Sequence, residues 1–283
     1  MNINTSVIAA ITIGILGACV LPKINNAVVF YPKQIHVNEL NKLSQKYAKH
    51  IELCDFNIKK DKLYGCLINI SRRPSWNDTI FLYSHGNSGW FGQLTTYPQI
   101  AELSKYGSIF LYDYRGYGAN SGKPSEKNCY EDILGAWNFL SKKGVPSSKI
   151  IVFGHSLGTS ISTYLVSNLI KYNRQLPAAL MLEAPFTSIR DMANHIYPGL
   201  EFLSMNKLNN IKYLKIIDDH NKQKNTKKIP ILIMHSEIDE IVPYSQGRKL
   251  SKNVGCTFVN IEGSHNEPTY TSGVYNFLNK LFQ

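Results

Sequence analysis

Short apolar runs rich in β-branched residues alternate with amphipathic stretches along most of the chain, and this rhythm predicts the fold class. The runs lie at 79–84, 108–112, 149–153, 178–182, 229–235 and 256–261, each short enough for a buried strand. Upstream, 51–58 and 63–70 flank the polar Lys59-Lys60-Asp61-Lys62, the pattern of an antiparallel hairpin. Residues 27–32 read as a further short strand or docking segment. The clearest helical stretch is 128–142, where Tyr130, Ile133, Leu134, Trp137 and Leu140 form one apolar face. Alternating strands and helices predict an α/β fold, a mostly parallel sheet covered on both faces. In such sheets, reactive loops gather at the carboxyl ends of the strands.

Two segments break the rhythm. Residues 187–228 hold two strands about 40 residues apart, far beyond a short loop and one helix. They carry Met192, Tyr197, Leu200, Phe202, Leu203, Met205 and Leu208, then the lysine-rich 222–228. A small lid over the site is the expectation, with a helix pair at the domain edge as the alternative. The other segment is the N-terminus, where 1–21 carries no charged side chain and 7–21 is almost wholly apolar. That run is somewhat shorter than the roughly 17–25 residues of a spanning helix, and tilt or snorkelling at its ends compensates. Leu16-Gly17-Ala18-Cys19 also has the form of a bacterial lipobox with Cys19 as the lipidation site, although no Lys or Arg precedes it as an export signal requires. Lys23, Lys33 and Lys42 follow the run, and the positive-inside tendency holds that side cytoplasmic. Residues 1–26 are therefore expected to be a membrane anchor or signal-like segment, and 27–283 one globular domain.

Composition narrows the partners. A chain of 283 residues, 43% hydrophobic and 18% charged, is that of an ordinary globular protein. A net charge of +11 suits an anionic membrane surface or a lysine-rich solvated exterior. No aromatic-basic motif points to nucleic acid. Cys19, Cys54, Cys66, Cys129 and Cys256 are odd in number and lack zinc-site or redox spacing, so no metal site is expected.

The chemistry is concentrated at Gly154-His155-Ser156-Leu157-Gly158, between the apolar run 149–153 and a helical pattern. A serine between a strand end and a helix start sits on a sharp turn, and the flanking Gly154 and Gly158 allow close packing there. Such a hydroxyl needs a base to take its proton and an acid to orient the base. Asp239 follows the run 229–235, and His265 follows 256–261, both in loops after strands. The order Ser156, Asp239, His265 is one in which nucleophile, acid and base occur in this fold. Glu183, which ends the run 178–182, competes with Asp239 for the acid role. His235 is expected to pin the acid turn, and Asp113 to belong with Arg115 and Asp132 in a structural ion pair. An oxyanion hole needs two backbone N–H groups. Leu157 supplies one, and the small-residue loop His85-Gly86-Asn87-Ser88 the other, from Asn87 or alternatively Ser88.

With Tyr112-Asp113-Tyr114-Arg115-Gly116-Tyr117-Gly118, Glu183-Ala184-Pro185-Phe186 and Gly263-Ser264-His265-Asn266, these motifs resemble the α/β-hydrolase superfamily over nearly all of 50–283. They look most like its membrane-anchored group of depalmitoylating thioesterases and lysophospholipid hydrolases. The resemblance implies an eight-stranded sheet, a Ser-Asp-His triad and no cofactor. It points to a membrane-associated serine hydrolase acting on carboxylic esters or thioesters of acyl chains. An aminopeptidase or amidase, and a catalytically dead interaction protein, are the rival readings.

Overall fold

Among the described residues eleven strands are formed: β1 (Tyr31–Pro32), β2 (Ile51–Ile58), β3 (Asp61–Ile68), β4 (Ile80–Ser84), β5 (Ser88–Gly89), β6 (Ser108–Tyr112), β7 (Ile150–His155), β8 (Ala179–Glu183), β9 (Ile231–Ser236), β10 (Thr257–Gly263) and β11 (Pro268–Thr269). The structure is a computed structural model that describes residues 26, 29–196, 198, 204 and 207–283. The expected anchor up to residue 25, with Cys19, lies outside the described residues. So do Tyr197, Leu200, Phe202, Leu203 and Met205 of the expected lid. Among the described residues, no helix is long and apolar enough to cross a membrane.

The main sheet has nine strands in the order β11-β10-β9-β8-β7-β4-β6-β3-β2. Eight are the strands the sequence reading anticipates, and the two-residue β11 extends one edge. The hairpin β2–β3 and the pairs β3–β6 and β10–β11 are antiparallel, while β6, β4, β7, β8, β9 and β10 run parallel. Both faces are buried, so strand residues divide by parity. Leu82, Phe110, Val152, Leu180 and Ile233 join one core. Phe81, Ile109, Ile151, Met181 and Leu232 join the other. Burying such a side chain contributes roughly 1.5–3 kcal/mol, which is why the central strands read as continuous apolar runs rather than alternating ones.

The chain leaves β4 toward β6 on one side and β7 on the other, which opens a crevice at the carboxyl ends of β4 and β7. Register keeps the neighbouring strand ends level, with Ser84 beside Gly154 and His155 beside Glu183. Helix Glu126–Lys142 begins two residues before the expected stretch 128–142, because the Ser125 hydroxyl caps it by accepting from the Asn128 N–H at 3.2 Å.

The expected lid divides in two. Helix Asn210–Lys222 packs against helix Leu157–Lys171 and buries Leu214 and Ile217 in the core. Asn210 is fully buried between the two helices; its amide donates to Thr159 Oγ1 and Phe186 O and accepts from Thr163 Oγ1. Helix Ile189–Ile196, by contrast, lines a cavity beside Ser156 through Ile189, Met192 and Ala193.

Candidate active site

Ser156 takes φ 52° and ψ −118° between the end of β7 and helix Leu157–Lys171. Positive φ at a non-glycine residue is strained and persists only where its surroundings hold it. Here the Ser156 N–H donates to the Glu183 carbonyl at 2.9 Å, and the Ser156 carbonyl accepts from Thr159 N–H and Oγ1. The turn is tight enough that side chains on either side are excluded. A Cβ at Gly154 would stand 2.5 Å from the Gly158 carbonyl oxygen, and one at Gly158 would run into the Ser84 carbonyl. Ser156 is 8% exposed and lines a cavity of about 210 Å³ with Asn87, Leu157, Phe186, Met192 and Ile241.

His265, in the loop between β10 and β11, donates from Nδ1 to Asp239 Oδ2 at 2.8 Å. That bond leaves Nε2 as the nitrogen available for proton exchange. Its ring lies 5.0 Å, centroid to centroid, from the ring of His155, the residue preceding Ser156. The loop is tied back where the His265 N–H donates to Glu240 at 3.0 Å. Burial lowers the His265 pKa, and the hydrogen bond to Asp239 offsets only part of that.

Asp239 sits in the turn after β9, with Oδ1 accepting from the N–H groups of Ile241 and Val242 at 2.9 and 2.8 Å. His235 donates from Nε2 to the Val242 carbonyl at 2.9 Å and comes within 3.4 Å of Asp239 Oδ2. Burial alone would raise the Asp239 pKa, but the contacts with His235 and His265 outweigh it and hold the carboxyl below the usual range. Glu183, the rival acid, meets a different histidine, with Oε1 accepting from His155 Nδ1 at 2.8 Å.

On the far side of the crevice, Asn87 follows β4, and its carbonyl accepts from the Tyr31 N–H at 2.8 Å and the Tyr117 hydroxyl at 2.7 Å. Behind it, His85 donates from Nδ1 to the Gly86 carbonyl at 2.8 Å, so a neutral ring turns Nε2 toward Asp113 Oδ1, 3.5 Å away. Burial lowers the His85 pKa to about 4 and raises that of Asp113, favouring uncharged forms of both. The ion pair expected nearby joins Arg115 to Asp132 at 2.7 Å and to Glu131 at 2.9 Å; Asp113 is not part of it.

Residues 115–260, more than half of the chain, match the model of the prolyl oligopeptidase family. The chain belongs to that family. The family match and the solved structures together make it a member of the α/β-hydrolase superfamily. The mouse lysophosphatidylserine lipase ABHD12 is 32% identical over 185 residues, which is 62% of this chain and 45% of the relative. The α/β-hydrolase domain-containing protein aho-3 of Caenorhabditis elegans is 36% identical over 174 residues, 59% of this chain and 45% of the relative. The chain thus spans about half the length of the curated relatives it matches. An α/β hydrolase from Vibrio vulnificus superposes with a TM-score of 0.71 at 20% identity, covering 93% of both chains. The Pyrococcus furiosus esterase PF2001 gives 0.61 at 17% identity, covering 90% of this chain and 98% of its own.

One feature of this prolyl oligopeptidase family member escaped the sequence reading, the buried pair of Glu183 with His155, the residue before Ser156. A histidine and a glutamate ending adjacent apolar runs were the visible signals for it. The short strand or docking segment expected at 27–32 contains β1, whose two residues pair parallel with β5 beside Asn87.

Proposed function

We propose that the chain is a membrane-associated serine hydrolase that cleaves carboxylic esters or thioesters of acyl-chain substrates, lysophospholipids included. The observation that carries this reading is His265, held by Asp239 through Nδ1, with its ring 5.0 Å from that of His155, the neighbour of a serine on a strained turn that lines an apolar cavity. Ser156 Oγ attacks the acyl carbonyl carbon as His265 Nε2 takes its proton, and Asp239 stabilises the imidazolium. The N–H groups of Leu157 and Asn87 receive the oxyanion. His265 then protonates the departing alcohol or thiol, and water, activated by the same histidine, releases the acid from the acyl-enzyme. The cavity walls, Phe186, Met192 and Ile241 among them, take the acyl chain. The charge-free, apolar residues 7–21 and the name of the mouse relative, a lysophosphatidylserine lipase, support a lipid substrate met at a membrane to which residues 1–26 tether the domain.

The test uses a fluorophosphonate probe with wild type and Ser156→Ala. Labelling and ester turnover in the wild type, both lost in Ser156→Ala with the melting temperature retained, are the expected result. Substantial turnover by Ser156→Ala would overturn the assignment. The family's name favours one further reading, a peptidase or amidase, and aminoacyl amides assayed beside acyl esters separate the two.

A further inference from the structure

The stretch Tyr112-Asp113-Tyr114-Arg115-Gly116-Tyr117-Gly118 takes no part in the chemistry above, yet its tyrosines line up behind the loop that follows β4. The Tyr112 hydroxyl is hydrogen-bonded to Ser84 Oγ at 2.8 Å. Tyr114 donates to the His85 carbonyl at 2.7 Å, and Tyr117 to the Asn87 carbonyl at 2.7 Å. All three side chains are fully buried. Their rings meet edge to face, with centroids 5.6 Å apart from Tyr112 to Tyr114 and 5.5 Å from Tyr114 to Tyr117. Burial raises the pKa of each phenol, which favours the protonated form.

Buried tyrosine hydroxyls generally find a partner, so one such bond would be ordinary packing. Here three reach Ser84, His85 and Asn87 in turn, and a fourth support arrives from a distant part of the chain. The Tyr31 N–H donates to the same Asn87 carbonyl at 2.8 Å, and the Lys33 N–H to the Gly89 carbonyl at 3.3 Å. A planar peptide points its carbonyl and N–H in opposite directions. Two donors on the Asn87 carbonyl therefore fix the direction of the Ser88 N–H and restrict rotation about Asn87 itself. Both residues considered as oxyanion donors are held by this arrangement.

We propose that Tyr112, Tyr114, Tyr117 and the main chain of Tyr31 form a brace that positions the oxyanion loop, residues 84–89, for acyl transfer at Ser156. These are positioning residues, and the inference rests on the serine-hydrolase reading above. It also makes residues 29–33 part of the active site: Val29 lines the cavity and Tyr31 holds the loop, only a few residues beyond the apolar N-terminal run.

Phenylalanine keeps the ring packing and removes only the hydroxyl, so Tyr114→Phe and Tyr117→Phe isolate the brace from the core. Tyr31, a residue 54% exposed, gives an independent surface test. Tyr31→Pro deletes the N–H donor, while Tyr31→Ala preserves it. The measurements are kcat and KM on a short-chain acyl ester, the rate of fluorophosphonate labelling, and the melting temperature. Losing an oxyanion donor outright costs ~10²–10³ in turnover, and a displaced one is expected to cost about 5- to 50-fold in kcat. KM should stay within about twofold, labelling should slow in parallel with kcat, and Tyr31→Ala should restore what Tyr31→Pro loses. A wild-type kcat in Tyr117→Phe, or equal rates in Tyr31→Pro and Tyr31→Ala, would refute the brace. Ser156→Ala run alongside tells the two failures apart. If Ser156→Ala is inactive while the tyrosine variants are normal, only the brace falls; if it stays active, the hydrolase reading falls with it.

Discussion

As the proposed base, His265 would have to be neutral to accept a proton, and burial favours that form. Because its pKa lies below the ordinary value of about 6.5, kcat/KM is expected to rise with pH through that lower pKa and to level off before neutrality. The Glu183 carboxylate acts the other way, since its charge favours protonated His265. Glu183→Gln should therefore move the rising limb to lower pH while leaving the Ser156 turn in place. A pH–rate profile of the two proteins checks the sign, and an upward shift would contradict it. Asp239→Asn removes the acceptor that selects the Nδ1–H tautomer, and a fall in kcat on the order of 10³–10⁴ is expected. A mild loss would mean that Glu183, one strand away, substitutes for it.

Helix Asn210–Lys222 carries lysines toward solvent and the apolar Leu214 and Ile217 toward the core. It packs on helix Leu157–Lys171 with Leu214 fully buried, so Leu214→Ala should destabilise the domain by about 2–5 kcal/mol, read from urea unfolding. A neutral substitution would mean that this helix is peripheral. The lid expectation covered this helix because the gap between apolar runs was counted as one insertion. Asn210, whose amide bonds span both helices, gives no apolar signal of membership in the core. Other elements were legible for plain reasons. The parallel strands are buried on both faces and so stand out as unbroken apolar runs. Gly154 and Gly158 flank the Ser156 turn because each lies against backbone. The Asp239 and His265 loops were readable from their place after strands. Hydrogen bonds between segments remote in sequence, such as Tyr31 to Asn87 and Tyr114 to His85, leave no periodic trace, and they supply most of what the structure adds at the site.

At the scale of the molecule, the cavity beside Ser156 is walled by segments far apart in the chain: Val29, Asn87, the Ser156 turn, helix Ile189–Ile196 and the turn at Ile241 and Val242. Its depth should govern which acyl chains fit. Ala193→Phe is expected to shift the preference toward shorter esters, measured as kcat/KM over a chain-length series, with acetyl ester turnover nearly unchanged. An unaltered series would place the acyl chain elsewhere. The same dispersal has a bearing on fragments of the chain: no piece shorter than the span from Val29 to Val242 carries the whole cavity wall, so an excised subdomain would leave the pocket open.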